Sequence, residues 1–270
     1  MELKLYADRL SPPSRAVLIF CKPHRLGKLL SHQLADRCKS LLERIPLFAS
    51  QPTWANGIEF EEVSIELGKL QHRSPEYAEI NPMKQVPAIV HGDFKLSESH
   101  AIFIYLASAF SGVADHWYPA DVHKRAKIHS VLDWHHTLIC AVVQAYLPYI
   151  ALFVSVGYHF NTSIALAFGL PLDPKAAAEG EKLLSASLAT IESLWLKGDG
   201  PFLLGNSQPS IADLALVCEI IQLEVADEKD RDRIIGKHER VLKWIEDTKN
   251  ATAPYFDEFS LRHAVGQREA

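Results

Sequence analysis

Two places along the chain hold residue types at spacings that could do chemistry. The first is Ser11-Pro12-Pro13-Ser14-Arg15, where a serine stands between a strand-like run and a helix opened by proline. The partners for acyl transfer are missing, because no His and Asp stand near Ser11 in a hydrolase arrangement and no G-x-S-x-G occurs. There is no P-loop and no G-x-G-x-x-G to cradle phosphates. Ser11 is therefore a hydroxyl donor at a helix start, or an ordinary capping serine. The second place is Leu96-Ser97-Glu98-Ser99-His100, which opens another helix. Free amides at a helix N-terminus attract carboxylates, and Glu98-Ser99 sits at such a terminus.

Two further sets of residues are chemically capable but poorly placed. His135-His136 follows Trp134 on a helical run. Neighbours on a helix face different ways, so these two do not chelate one metal together and read as interior or interface histidines. Cys21, Cys38, Cys140 and Cys218 form no C-x-x-C pair, which argues against a zinc cluster or a disulfide framework. No metal site is expected. Free cysteines suit a reducing compartment, with the cytoplasm as the default, and Met1-Glu2-Leu3-Lys4 enters a strand pattern without a signal-peptide apolar region.

The elements that must position these residues fall into two classes. The first half reads β-α-β-α-β-β-α: a strand at Leu3–Ala7, a helix from Ala16, a strand over 58–64 and a helical turn over 75–80. A strand over 86–90 then turns through His91-Gly92-Asp93 into a strand over 94–96, and a helix covers 98–110. A polar segment with Gly112 and Pro119 follows. Beyond it only helical patterns occur, over 122–137, 175–196, 210–223, 229–235 and 238–250. Ser210-Ile211-Ala212-Asp213 is a capping-box variant ahead of an apolar run. The expectation is an α/β unit over 1–110 followed by an all-α unit over 122–257. Composition agrees with a globular protein: 270 residues, 48% hydrophobic and 23% charged, with net charge −5 and thus no broad basic surface for nucleic acid.

Taken jointly, several motifs resemble one family. Tyr6-Ala7-Asp8-Arg9-Leu10-Ser11-Pro12-Pro13-Ser14-Arg15-Ala16-Val17, Ile80-Asn81-Pro82-Met83-Lys84-Gln85-Val86-Pro87-Ala88-Ile89, Leu96-Ser97-Glu98-Ser99-His100-Ala101-Ile102 and Asp115-His116-Trp117-Tyr118-Pro119 resemble the theta class of the glutathione transferases, in its plant type. The resemblance implies a thioredoxin-like N-terminal domain and an all-helical electrophile-binding domain. It also implies a cytoplasmic homodimer that takes glutathione as co-substrate and needs no other cofactor. By the same resemblance, Ser11 donates a hydrogen bond to the glutathione thiolate. Ser99 and Glu98 hold the γ-glutamyl end, Val86 before a cis Pro87 holds the cysteinyl backbone, and Gln85, His72 and Arg73 approach the glycyl end. Ser14 and Arg15 support Ser11. A thiol of ordinary pKa ~8.5 needs such help to ionise at neutral pH, after which it attacks halides, epoxides or hydroperoxides.

Two segments depart from the family pattern. Residues 23–55 separate Lys22 from Asn56 where the family has a few residues; they read as a solvated excursion, such as retained intron sequence would encode. Residues 138–159 lie in a run from Trp134 to Leu172 without a single Asp, Glu, Lys or Arg. They read as an apolar insertion packed on the helical unit; a membrane span is disfavoured because Gln144, Pro148 and Gly157 interrupt the run and no Lys/Arg cluster flanks it. The family's pocket arginine has no counterpart here, and Thr137 stands where a polar or acidic residue of a partner subunit would help hold glutathione. These departures keep two alternatives in view, a non-catalytic ligand-binding protein of the same fold (a ligandin) and an inactive splice product.

Overall fold

The computed structural model describes residues 2–22, 24–25, 54–146, 174–225 and 228–259. Strand β1 (Leu3–Ala7) buries Leu3, Leu5 and Ala7 on one face, as its alternating sequence dictates. Helix α1 (Pro12–Cys21) follows, and every residue of it but Pro13 is buried. Short strands β2 (His24–Arg25) and β3 (Trp54–Ala55) pair antiparallel, with His24 opposite Ala55 and Arg25 opposite Trp54. Then come β4 (Glu61–Ser64), the helical turn α2 (Pro75–Ala78), β5 (Ala88–His91), β6 (Phe94–Ser97) and α3 (Ser99–Ala109).

The main sheet has the order β4-β1-β5-β6. β1 runs parallel to β4 and antiparallel to β5, and β5 and β6 form a hairpin in which His91 faces Phe94. The intervening Gly92-Asp93 turn needs a positive φ at its first residue, and Gly92 supplies it at 62°. This mixed sheet with α1 and α3 is the thioredoxin-like unit expected from the sequence.

The second unit is helical throughout its described residues: α4 (Val122–Tyr146), α5 (Pro174–Thr190), α6 (Ile211–Ile220), α7 (Glu228–Ile235), α8 (Glu239–Ala251) and α9 (Tyr255–Glu258). α5 ends in a wider π turn over Ile191–Trp195. All ten residues of α6 are buried, the mark of a helix at the centre of its unit. Its start is fixed by the Asp213 carboxylate, which accepts from the Ser210 amide at 2.7 Å, the Leu203 amide at 2.8 Å and the Trp244 indole at 2.8 Å. The expected capping box is present.

One apolar core runs through both units, because α1 lies between the sheet and α6. Arg15 locks this junction. Its fully buried guanidinium donates to the Arg9 and Leu10 carbonyls on one side and to the Cys218 carbonyl and Gln222 Oε1 on the other.

α4 extends beyond its expected end at 137 and carries helical backbone nine residues into the apolar segment. The rest of that segment, 147–159, and residues 26–53 of the other segment lie outside the described residues. Among the described residues, no helix is long and apolar enough to cross a membrane.

Candidate glutathione-binding site

Ser11 stands at the N-cap of α1, 2% exposed, with extended backbone geometry (φ −81°, ψ 120°). A cap serine normally accepts from the second or third amide of its helix. Pro12 and Pro13 have no N–H, and the Ser11 hydroxyl makes no cap bond. Its hydrogen-bonding capacity is thus left for another partner. The loop that presents it is tied down by Asp8, which accepts from the Leu10 amide at 2.9 Å and from the Leu67 amide at 2.8 Å. The Ser11 amide closes the turn onto the Asp8 carbonyl at 2.9 Å. Ser14, one turn into α1, is fully buried, and its hydroxyl has no partner among the described residues. Arg15 joins the two units, as described above, so its support for Ser11 is mechanical.

Glu98 has φ 71° and ψ 112°, a conformation that L-residues rarely adopt. Such strain persists only where the surroundings impose it, and it clusters at functional sites. The turn it makes sets the first amides of α3 at the end of β6. Glu98 is exposed and Ser99 half-buried, which suits a carboxylate-binding helix start open to solvent.

The Val86–Pro87 bond is cis, as the family resemblance implied. The loop before it is held by two donors on one oxygen: the Gln85 carbonyl accepts from the Tyr77 hydroxyl and from Asn81 Nδ2, each at 2.7 Å. Gln85 itself is exposed and Val86 half-buried. His72 and Arg73 lie on a helical turn over Gln71–Arg73, following Leu70 in left-handed conformation. Burial and the neighbouring Arg73 charge push the His72 imidazole below its ordinary pKa, while Asp8 pulls the other way. His72 therefore lies near enough to feel the loop that carries Ser11.

All four presenting segments come from one unit of the fold. The structure places the Ser11 loop, the Gln71–Arg73 turn, the Gln85–Pro87 loop and the Glu98–Ser99 turn around the strand ends of the sheet. The sequence reading passed over Asp8, Tyr77 and Asn81 as functional supports. An Asp two residues before a bonded amide is a readable turn signal, whereas the reach of Tyr77 and Asn81 to Gln85 is not.

A second missed feature is a histidine cluster. His100 on α3 and His135 on α4 are each 8% exposed, and His135 Nδ1 lies 3.3 Å from His100 Nε2. The His136 ring meets His100 edge-on, with centroids 4.3 Å apart. Thus the adjacent histidines do converge, on a third one that sequence spacing could not supply. Among the described residues no group is arranged to hold a metal ion. Burial drives the pKa of His100 down to about 2 and that of His135 to about 3, with the neighbouring imidazoles adding to the effect. Both are neutral at physiological pH. The side chain of Thr137, expected to stand near this end of the site, lies outside the described residues.

The strand order and the all-helical second unit define the two-part architecture of proteins that pair a thioredoxin-like fold with a helical cover. Comparison with known proteins narrows this. The family model for the glutathione S-transferase N-terminal domain matches residues 35–108, and that for the C-terminal domain matches residues 174–247. Glutathione S-transferase T1 of Arabidopsis thaliana is 52% identical over 258 residues, which span 96% of this chain and 87% of the relative. Glutathione S-transferase theta-2 of Rattus norvegicus is 32% identical over 82% of this chain and 72% of its own length. The human theta-class glutathione transferase solved with the glutathione conjugate of 1-menaphthyl sulfate superimposes with a TM-score of 0.74 at 27% identity, covering 100% of this chain and 90% of that one. The chain belongs to the glutathione S-transferase family, within its theta class.

Proposed function

We propose that this protein transfers glutathione to electrophilic small molecules, with Ser11 as the hydrogen-bond donor that favours the thiolate. The observation that carries this reading is the Ser11 hydroxyl, buried at the start of α1 and making no cap bond: Pro13 removes one of the two usual donors, and the hydroxyl does not engage the other, the Ser14 amide. A hydroxyl aimed at a sulfur anion stabilises the charged form, and the α1 dipole adds to it. The thiolate sulfur then forms a bond to carbon of an alkyl or benzyl halide while halide departs with the bonding pair. No residue of the protein becomes covalently attached. With a hydroperoxide the same thiolate attacks the outer oxygen, the O–O bond breaks, and the alkoxide takes a proton to leave as an alcohol. A second glutathione completes that reduction.

Glutathione enters as co-substrate. Its γ-glutamyl carboxylate meets the Ser99 turn with Glu98 beside it, the Val86 backbone pairs with the cysteinyl unit, and Gln85, His72 and Arg73 face the glycyl end. The boundary between a glutathione-binding unit over 1–110 and an electrophile-binding unit over 122–257 is supported by the break between α3 at Ala109 and α4 at Val122. A homodimer and a cytoplasmic location belong to this reading; the buried Cys21 and Cys218, neither of them in a disulfide, suit a reducing compartment.

Conjugation of glutathione to benzyl chloride by wild type and Ser11→Ala tests it. Loss of one such donor lowers kcat by ~10²-fold, and the rate profile moves toward an ordinary thiol pKa of ~8.5 while binding to immobilised glutathione survives. Full activity in Ser11→Ala removes Ser11 from the mechanism. Glutathione binding by the wild type without turnover favours the ligandin.

A further inference from the structure

We propose that His100 and His135 act as a positioning pair for the γ-glutamyl end of glutathione, an inference that rests on the transferase reading above. The start of α3 is the strained part of the site, since Glu98 holds φ 71° and ψ 112° immediately before Ser99. A conformation of that kind costs of order 1–3 kcal/mol and lasts only when neighbouring structure over-determines it. The Glu98 side chain is exposed, and its carbonyl is held by the Ile102 amide of α3 at 2.9 Å, which ties the turn to the helix behind it. His100 is the second residue of that helix, adjacent to Ser99, and it is buried. Its Nε2 meets His135 Nδ1 at 3.3 Å, and His136 packs edge-on against its ring. The helical unit thereby grips α3 one residue beyond the carboxylate-binding turn.

The second nitrogen of His135 strengthens the case. Nε2 is buried and has no partner among the described residues, and His135 lines a cavity shared with Ser99, His136, Pro13 and Ala16. Pro13 and Ala16 belong to the first turns of α1, the helix that Ser11 caps. Glu219 of α6, 6% exposed, and His136 line the same cavity, so polar groups of both units border the ring, and its unpaired nitrogen is retained at a cost of ~1–3 kcal/mol. Because burial keeps both imidazoles neutral, they add no charge to attract the carboxylate. The backbone amides and the helix dipole supply the attraction, and the histidine pair sets where they point.

The test separates positioning from simple stability by using two thiols. Cysteinylglycine lacks the γ-glutamyl group and so never touches the Ser99 turn. Wild type, His135→Phe and His135→Gln are assayed with benzyl chloride and either thiol. The expected result is a KM for glutathione raised about tenfold in His135→Phe with kcat within twofold, an unchanged kcat/KM for cysteinylglycine, and recovery to within threefold of wild type in His135→Gln. An unchanged KM for glutathione, or equal losses with both thiols, overturns the proposal. If His135→Phe does not fold, wild-type protein decides: addition of S-methylglutathione shifts the ring-nitrogen NMR signals of the two buried histidines, and unmoved signals overturn the proposal. Wild-type protein inert with glutathione overturns the transferase reading itself, an outcome distinct from turnover with an unchanged response to the variants.

Discussion

Acidification acts strongly on the histidine pair. His100 and His135 have folded pKa values of about 2 and about 3, against 6.5 for an ordinary imidazole. Both values are lowered, so between pH 7.5 and 5.5 the unfolded chain takes up two protons that the folded protein refuses. Stability is therefore fully present above pH 6.5 and falls as the pH drops below it. Each histidine contributes roughly 1.4 kcal/mol over that interval, and the pair about 3 kcal/mol. This is a large part of a typical stability of ~5–15 kcal/mol. His116 and His72, also lowered, add to the loss with the same sign, while the raised Asp213 carboxyl acts oppositely at lower pH. The pair is isolated by comparing wild type with His100→Phe/His135→Phe at one protein concentration. Urea unfolding followed by tryptophan fluorescence at several pH values gives both slopes. The reasoning fails if the double variant keeps the wild-type pH dependence, or if wild-type stability changes by less than ~1 kcal/mol between pH 7.5 and 5.5.

Two other perturbations have defined outcomes. Glu98→Gly removes the penalty of a positive φ, and urea unfolding shows a gain of ~1 kcal/mol while the KM for glutathione rises; a loss of stability would show that φ 71° carries no strain. Asp213→Ala leaves the Ser210 and Leu203 amides and the Trp244 indole without their acceptor, and at ~1–3 kcal/mol for each buried donor it lowers stability by at least ~3 kcal/mol in the same measurement.

What was legible in the sequence is what short-range rules encode. The alternation of Leu3-Lys4-Leu5-Tyr6-Ala7 marks β1, and the two-residue Gly92 turn marks the β5–β6 hairpin. Ser210-x-x-Asp213 marks the start of α6. Boundaries moved where a long-range partner decides them: the strand expected over 58–64 is a ladder only from Glu61, where pairing with Lys4 of β1 begins. Helix 175–196 ends early as α5, at a π turn in which the Glu192 carboxylate meets His238 from across the unit. Neither event leaves a mark in the local pattern.

The candidate site divides along the same line. Ser11, the Val86–Pro87 pair and Glu98-Ser99 are readable because each is a local backbone event: a serine before two prolines at a helix start, a proline before a strand, a polar turn before an apolar helix. The groups that hold those events in place are not local. Arg15 crosses from Leu10 to Cys218 and Gln222, and His100 crosses from α3 to α4. In both cases a side chain from the thioredoxin-like unit is satisfied by the helical one. The helical unit thus does more than pack against the sheet unit. It supplies the buried polar contacts that keep the α1 start, which carries Ser11, and the α3 start, which carries Ser99, fixed relative to one another. An Arg15→Met variant severs the first of these while preserving volume, so both glutathione affinity and the coupling of the two units in urea unfolding should fall together. Loss of one without the other would separate the site from the junction that this arrangement joins.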